Sequence, residues 1–514
     1  MITLTIKERK GYMKYKFIIS TIILFLFPIS VYAIEWVRTY GVGMEEWEEE
    51  MAYSIQQTTD GGYIVAGRTY SSVIEEYGIW ILKLDENGNV VWQKIYGVSD
   101  EQVGFFAISI QQTTDGGYIV AGSLHSYVTE RKDMWILKLD ENGDVIWQKT
   151  YGVSDTDEYA MSIQQTSDGG YIVAGSFGFP ASGFGTFLQY LQFGDAWVLK
   201  LDESGNVVWQ KTYGRSGEYG EGASSIQQTT DGGYIVAGYT VSFGAGECDM
   251  WVLKLDENGN VVWQKAYGGQ DAEGAMSVRQ TADGGYIVAG ATRFSFGAGI
   301  WDMLILKLDS SGNVSWSKTY GGENWEYATA IQQTTDGGYI VVGDTTTFGV
   351  NGNDHVWLLK LDSSGNISWE NSYGTGDVDE GSFVRQTADG GYIVAGGTMS
   401  FGVNFWDIWV LKLNSNGEIP GCNITYPSHA IITEPSLSVT DTDVIAQPSN
   451  ATILSTGALP HNTSAGISIP CEAAPPTCST WSDVVAKFRE FMRRRVTFRD
   501  VIKCFLEFRK ERIT

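Results

Sequence analysis

Three features of this 514-residue sequence predict an all-β fold, a seven-bladed β-propeller with four antiparallel strands per blade, carrying a small strand-rich appendage and a C-terminal helical hairpin. The motif Asp-Gly-Gly-Tyr-Ile-Val recurs seven times, starting at Asp60, Asp115, Asp168, Asp231, Asp283, Asp336 and Asp389. Each interval holds four short strand-like runs separated by turn residues. A strand-like segment before the first repeat matches the strand that the seventh repeat lacks. The composition agrees, because 62 Gly, 18 Trp and an aromatic fraction of 13% suit short strands and tight turns.

Taken in chain order, residues 1–33 read as a secretory signal peptide. Lys7, Arg9, Lys10, Lys14 and Lys16 precede an apolar run from Phe17 to Ile29, and Val31-Tyr32-Ala33 offers small residues at the cut. Met13 serves equally well as a start. The expected location is therefore secreted or cell surface. Residues 34–421 form the propeller. In the first repeat Tyr53–Thr58 is strand A, Tyr63–Gly67 strand B, Trp80–Asp85 strand C and Val90–Tyr96 strand D. Ile34–Gly41 resembles strand D, whereas the seventh repeat runs from Asn416-Gly417-Glu418 into Ile419-Pro420-Gly421-Cys422. The amino-terminal strand is thus expected to complete blade seven and close the ring, which removes two exposed sheet edges.

Residues 422–471 are rich in Thr, Ser, Ile and Pro and read as the strand-rich appendage, bracketed by Cys422 and Cys471 as the expected disulfide pair. Cys478 with Cys504 is a second pairing, which leaves Cys248 free. A linker at 472–479 leads to the helical hairpin at 480–514. Its two copies of Thr-x-x-Asp, at Thr480 and Thr497, are capping signals before apolar stripes. Arg493, Arg494, Arg495 and Arg499 give the hairpin a basic face, suited to an acidic surface or partner, or to folding back on the acidic propeller.

The net charge of −26 is unevenly spread, since residues 34–478 hold 20 basic and 55 acidic side chains. That balance excludes nucleic acid as the main partner. With the repeats in view, the chain resembles secreted prokaryotic seven-bladed β-propeller repeat proteins. Asp85-Glu86-Asn87-Gly88-Asn89-Val90-Val91-Trp92 is similar to the tryptophan-docking motif of quinoprotein propellers, although its Asp-to-Gly spacing is one residue shorter and its Thr is absent. The resemblance implies the architecture and not the cofactor. The chain has no vicinal cysteine pair, and no cofactor and no metal is expected.

Tryptophan accounting separates scaffold from candidate site. Seven tryptophans fall in strand D and six open strand C, where they pack between blades. Of the remainder, Trp47, Trp301, Trp325 and Trp406 fall in loops of one face, the face made by the D-to-A and B-to-C connections. Those connections vary among repeats while the opposite turns are nearly uniform, so recognition is expected on the variable face. The four tryptophans are the candidate ligand-binding arc, for a glycan or a protein. An acid precedes six of the seven motifs by ten residues (Glu50, Glu158, Glu221, Glu273, Glu326, Asp379). Asp133, Asp195, Asp249, Asp302 and Asp407 stand before strand C. Both sets are read as structural hydrogen-bonding groups, with cation binding the sharper alternative. Gln56, Gln111, Gln164, Gln227, Arg279, Gln332 and Arg385 point toward the channel by strand alternation, where the arginines could hold an anion or all seven could bind water. The four histidines are scattered, and no complete catalytic constellation appears. The functional expectation is an exported binding or adhesion propeller with a C-terminal surface-association module. The alternative is a polysaccharide hydrolase or lyase using carboxylates of the variable face.

Overall fold

The computed structural model describes residues 35–41, 49–71, 76–97, 105–126, 131–152, 156–179, 194–214, 220–401 and 406–441, then 447–448, 452–455, 459–462 and 466–472. The signal peptide, Trp47, the helical hairpin and the linker beyond Glu472 lie outside the described residues. Seven antiparallel sheets stand around a central channel. Blade four shows the pattern: strand A is Glu221–Gln228, B Tyr234–Thr240, C Asp249–Leu255 and D Val261–Gly268. B and C are buried along their whole length, since neighbouring blades cover both faces. No α-helix occurs among the described residues.

The motif that announces each repeat makes the A–B turn. Gly61 has φ of +86°, which favours glycine, and a Cβ on Gly62 would meet the Leu84 carbonyl oxygen at 2.2 Å. The Asp60 carboxylate accepts bonds from Thr58, the Gly62 N–H and Lys83 Nζ. Lys83 is buried, and each of the seven blades has the corresponding Lys–Asp pair at 2.9–3.0 Å. Burying a lysine is costly unless its charge is matched, so strand C and the turn hold each other in register. The C–D turn is fixed similarly, because Asp85 accepts from the Asn87 and Asn89 N–H groups.

Blades join through strand D. Trp36 donates its indole N–H to the Glu86 carbonyl of the next blade, and Tyr40 donates its hydroxyl to Gly88 at 2.6 Å. The tyrosine bond recurs at all seven junctions. Strand C contributes fully buried Trp80, Trp135, Trp197, Trp251, Trp357 and Trp409. At about 200 Å² and 25 cal/mol/Å², each is worth roughly 5 kcal/mol of transfer free energy as an upper estimate.

The ring closes as expected. Trp36–Gly41 pairs antiparallel with Asp407–Leu413, placing Trp36 opposite Lys412 and Tyr40 opposite Ile408. The strand-rich stretch at 422–471 lies along the propeller itself rather than beside it. Thr425–Pro427 pairs with strand D of blade six, Ile431–Thr433 with blade five, Ser438–Asp441 with blade four and Gln447–Pro448 with blade three. Thr452–Ser455 and Leu459–Asn462 follow on blades two and one, and Gly466–Glu472 reaches the amino-terminal strand on blade seven. The stretch is a belt running backwards around the ring, adding a fifth strand to every sheet.

Cys248 is free and buried, whereas Cys422 is disulfide-bonded. Cys422 packs on the cluster containing Val37, and Val37 pairs through its backbone with Cys471. A Cys422–Cys471 bond, the pairing expected from the sequence, would fasten the belt end to end.

Two outcomes follow from the belt. Non-reducing peptide mapping should recover Cys422 linked to Cys471; recovery with Cys478 or Cys504 instead would rule out the fastened belt. A chain ending at 478 should melt with the full chain, whereas one ending at 421 should lose several kcal/mol and self-associate through seven uncovered strand edges. Calorimetry and size-exclusion chromatography report both.

Candidate functional site

The two carboxylate sets meet at the blade junctions, where all are buried except the half-buried Asp133 and Asp195. Glu273 of blade five and Asp249 of blade four are each about 1% exposed. A Cβ on Gly268, which ends strand D, would fall 1.9 Å from Asp249 Oδ1 and 2.6 Å from Glu273 Oε2. Glycine there lets the two acids converge. Gly152, Gly214 and Gly321 admit Asp133 with Glu158, Asp195 with Glu221, and Asp302 with Glu326 in the same way. In blade six His355 replaces the aspartate and faces Asp379 across Gly374.

The glutamates are tied down locally. Glu273 accepts from Thr292 Oγ1 at 2.7 Å and the Gly269 N–H at 2.6 Å; Glu326 does the same with Thr345 and Gly322. Asp249 Oδ2 accepts from the Ala245 N–H, while its Oδ1 is buried without a hydrogen-bond partner. Burial, then the neighbouring Glu273 charge, pushes Asp249 up to about 6. Burial also raises Asp379 to about 6 and lowers His355 to about 4. Among the described residues no group of three or more His, Cys, Asp or Glu is arranged to hold a metal ion. Two converging acids held by local N–H and hydroxyl donors form a brace between blades, which is expected to share a proton below about pH 6.

The expected tryptophan arc is divided. Trp301 begins strand C of blade five, Trp301–Leu308, and is 6% exposed, packed with Tyr239, Cys248, Ala272 and Ala291. Trp325 adjoins it through a parallel bridge and is 48% exposed. Trp406 is half-buried and bridges Glu49 at the junction of blades seven and one. So Trp301 and Trp325 come together, Trp325 alone of the three offering a broad open surface.

The concave feature is the central channel, a cavity of about 650 Å³ whose walls are the A strands. Its asymmetry lies in two positions. Beside the second residue of strand A, the blades carry Tyr159, Gly222, Gly274, Tyr327 and Glu380 where blade one has Met51. Near the end of strand B they carry Arg68, Ser123, Ser176, Tyr239 and Asp344. The wall of blades six and seven is therefore acidic. Asp344 is 2% exposed, accepts the Gly381 N–H at 2.6 Å and bonds the Tyr327 hydroxyl. Burial, reinforced by the Glu380 charge, holds Asp344 far above the ordinary carboxylate range, and burial with Asp354 raises Glu380. Beside Glu380, on the adjoining blade one, Arg68 is paired with Glu49 at 2.7 Å, and farther round the ring Lys132 Nζ of blade two reaches the Tyr159 hydroxyl of blade three at 2.9 Å. Sequence reasoning did not single out Asp344, Glu380 or Tyr327. The signal was present as departure from the repeat.

Farther along the A strands the channel is lined by a collar of Gln56, Gln111, Gln164 and Gln227 with Arg279 and Arg385, and Gln332 holds the corresponding position in blade six. Each glutamine Oε1 accepts a backbone N–H from the next blade at 2.6–2.8 Å.

No family model and no curated protein matches the chain. Among solved structures, the chain is similar to a eukaryotic initiation factor, with 10% identity over 80% of this chain and 98% of that one and a TM-score of 0.29. It is also similar to an endo-1,5-α-L-arabinanase from Thermotoga petrophila RKU-1 in complex with TRIS, with 12% identity over 70% and 97% and a TM-score of 0.23. At these scores neither likeness bears on what this chain binds.

The junction acids set the pH dependence of stability. Asp249 and Asp379 bind a proton more readily folded than unfolded, so their contribution is complete below about pH 4 and is lost as pH rises through about 6. Asp283 and Asp336 oppose this at the acid end: despite partial burial, bonds from threonine and lysine hold them at about 2, and their contribution disappears as pH falls from about 4 through 2. The melting temperature should therefore peak near pH 4–5. Asp249→Asn should stabilise the fold at pH 8, by on the order of 1–2 kcal/mol, because the amide can donate to Glu273. A variant less stable than the parent at pH 8, measured by calorimetry, would refute the proton-sharing brace.

Proposed function

We propose that this is an exported binding propeller whose recognition centre is the mouth of the central channel on the variable face, and that its ligand is a small polar unit such as a glycan residue. The observation that carries this reading is the one-sided mouth. Its scaffold repeats sevenfold, yet Tyr327, Asp344 and Glu380 stand on blades six and seven and are followed by Arg68 on blade one, Lys132 on blade two and Tyr159 on blade three. Tyrosine faces beside carboxyl and cationic groups suit sugar rings, which offer apolar C–H faces and alternating donors and acceptors. Trp325, exposed on the same face, extends the surface for a longer chain.

Export is supported by the basic-then-apolar leader and by a disulfide at Cys422, which fits an oxidising compartment. The basic hairpin at 480–514 serves as the surface-association module, its arginines answering an acidic partner or surface. One observation favours the second reading, a polysaccharide hydrolase or lyase: Asp344 and Glu380 are neighbouring acids with raised pKa values inside a cavity, the environment a general acid needs.

A glycan panel titrated calorimetrically, with reducing ends measured in the same samples, separates the two. Binding without product is expected. Tyr327→Phe and Glu380→Gln should weaken it about tenfold while leaving the melting temperature within a few degrees. A panel with no binder, or variants that bind as the parent does, would dismiss the mouth as the recognition centre, and released product abolished by Glu380→Gln would establish the enzyme.

A further inference from the structure

The collar on the A strands has a property that none of its residues has alone. Each of its five glutamines spends its carbonyl oxygen on a backbone N–H of the next blade, at 2.6–2.8 Å. That bond fixes the amide orientation, because only the oxygen can accept. The amide NH₂ is left as the group facing the channel, and none of the five has a protein acceptor among the described residues.

The two blades without glutamine here carry arginine. Arg279 Nη1 donates to Ser225 Oγ at 3.1 Å and to its neighbour's carbonyl, that of Val278, at 2.7 Å. Arg385 Nη1 reaches the Val384 carbonyl at 3.4 Å, and its guanidinium lies over the Phe383 ring with 4.3 Å between carbon and centroid. These contacts hold both side chains in place. None of them supplies negative charge. Among the described residues neither arginine has a carboxylate partner, and the charge of Arg279 is felt at Arg385. The acids of the mouth are no remedy: Glu380 precedes Arg385 by five residues along one strand, a rise of about 16 Å.

Guanidinium groups stay protonated in proteins, so the collar is a ring of donors with two positive charges and no acceptor. Water can satisfy the amides but cannot neutralise the arginines. A group that presents acceptors on every side and carries negative charge satisfies both. We propose that the collar is an oxyanion-binding site, in which a phosphate, sulfate or carboxylate group sits between Arg279 and Arg385 and takes further bonds from the glutamine amides. The site is separate from the mouth and does not depend on what the mouth binds.

The repeat itself provides the control. Glutamine already occupies this position in five blades, so Arg279→Gln and Arg385→Gln install a side chain that the scaffold accepts. The test uses the full chain without its leader, at constant ionic strength, with phosphate and sulfate compared against chloride. Parent protein should show a saturable rise in melting temperature and a calorimetric binding isotherm with the two oxyanions. Each single variant should bind at least tenfold more weakly. The double variant should show no oxyanion-specific response and, in chloride of low concentration, should melt above the parent because two like charges have been removed. A crystal soaked in selenate should show one anomalous peak on the channel axis between the two arginines. Equal responses from parent and double variant, or no selenate peak at the collar, would overturn the site. Should the double variant fail to fold, the parent isotherm and the selenate position decide the question alone.

Discussion

The contact between strand D of one blade and the C–D turn of the next is the constraint on which the ring depends. Tyrosine and tryptophan of one strand donate to carbonyl groups of the same turn, and the indole lies against its glycine, where a Cβ on Gly88 would come within 2.9 Å of the Trp36 ring. The turn can present those carbonyls because its glycine adopts φ of 72–77° in all seven blades. This joins turn chemistry to quaternary-like packing. It also explains why blade seven keeps the turn Asn414–Glu418 although no strand D follows it in the chain: Tyr373 donates to Gly417, so the turn is needed by blade six. The amino-terminal strand then supplies the missing Tyr40 and Trp36, and the last junction is built from the same bonds as the others.

Ring closure leaves the outward edges of seven D strands, and the belt answers that problem. The place where strand D of blade seven would begin is occupied by Trp36–Gly41, so the chain leaving strand C of that blade passes outward to blade six and continues in reverse. Its strands have two to seven residues, enough to pair a few backbone groups on each blade. Such short pairings are weak singly. They hold because one chain makes them in succession, and a disulfide at the belt's origin limits the freedom of the whole.

The sequence makes the blades legible because each repeat states the same turns, and the displaced strand D makes closure legible. The belt was not. Six of its seven strands have only two to four residues and show no useful alternation, and their partners lie far away, as Thr433 lies 114 residues from the Thr319 it contacts. The junction acids are visible in the sequence as a repeating set, but their convergence between blades is not. The signal for it is the glycine after the strand-D tyrosine, as in Tyr151-Gly152 and Tyr267-Gly268, whose missing Cβ makes room for two carboxylates. Trp301 was read as a loop residue because blade five opens strand C with Leu304 where others have tryptophan. The strand begins earlier there, and Trp301 fills the space beside Tyr239 and Cys248.

Function in such a ring must come from broken symmetry, since seven equal blades can only present seven equal walls. The framework tolerates the breaks at positions whose side chains face the channel. Exchanging glutamine for Arg279 costs the scaffold one side-chain bond to the next blade and leaves strand pairing with Ile287 intact. Placing Asp344 at the end of strand B likewise leaves its pairing with Val356 undisturbed, while its buried carboxyl is satisfied by Gly381 and Tyr327. The same backbone can thus hold an acidic mouth and a cationic collar about 16 Å apart on one strand. That polarity gives the channel two chemically distinct levels, so a substitution at one leaves the chemistry of the other in place.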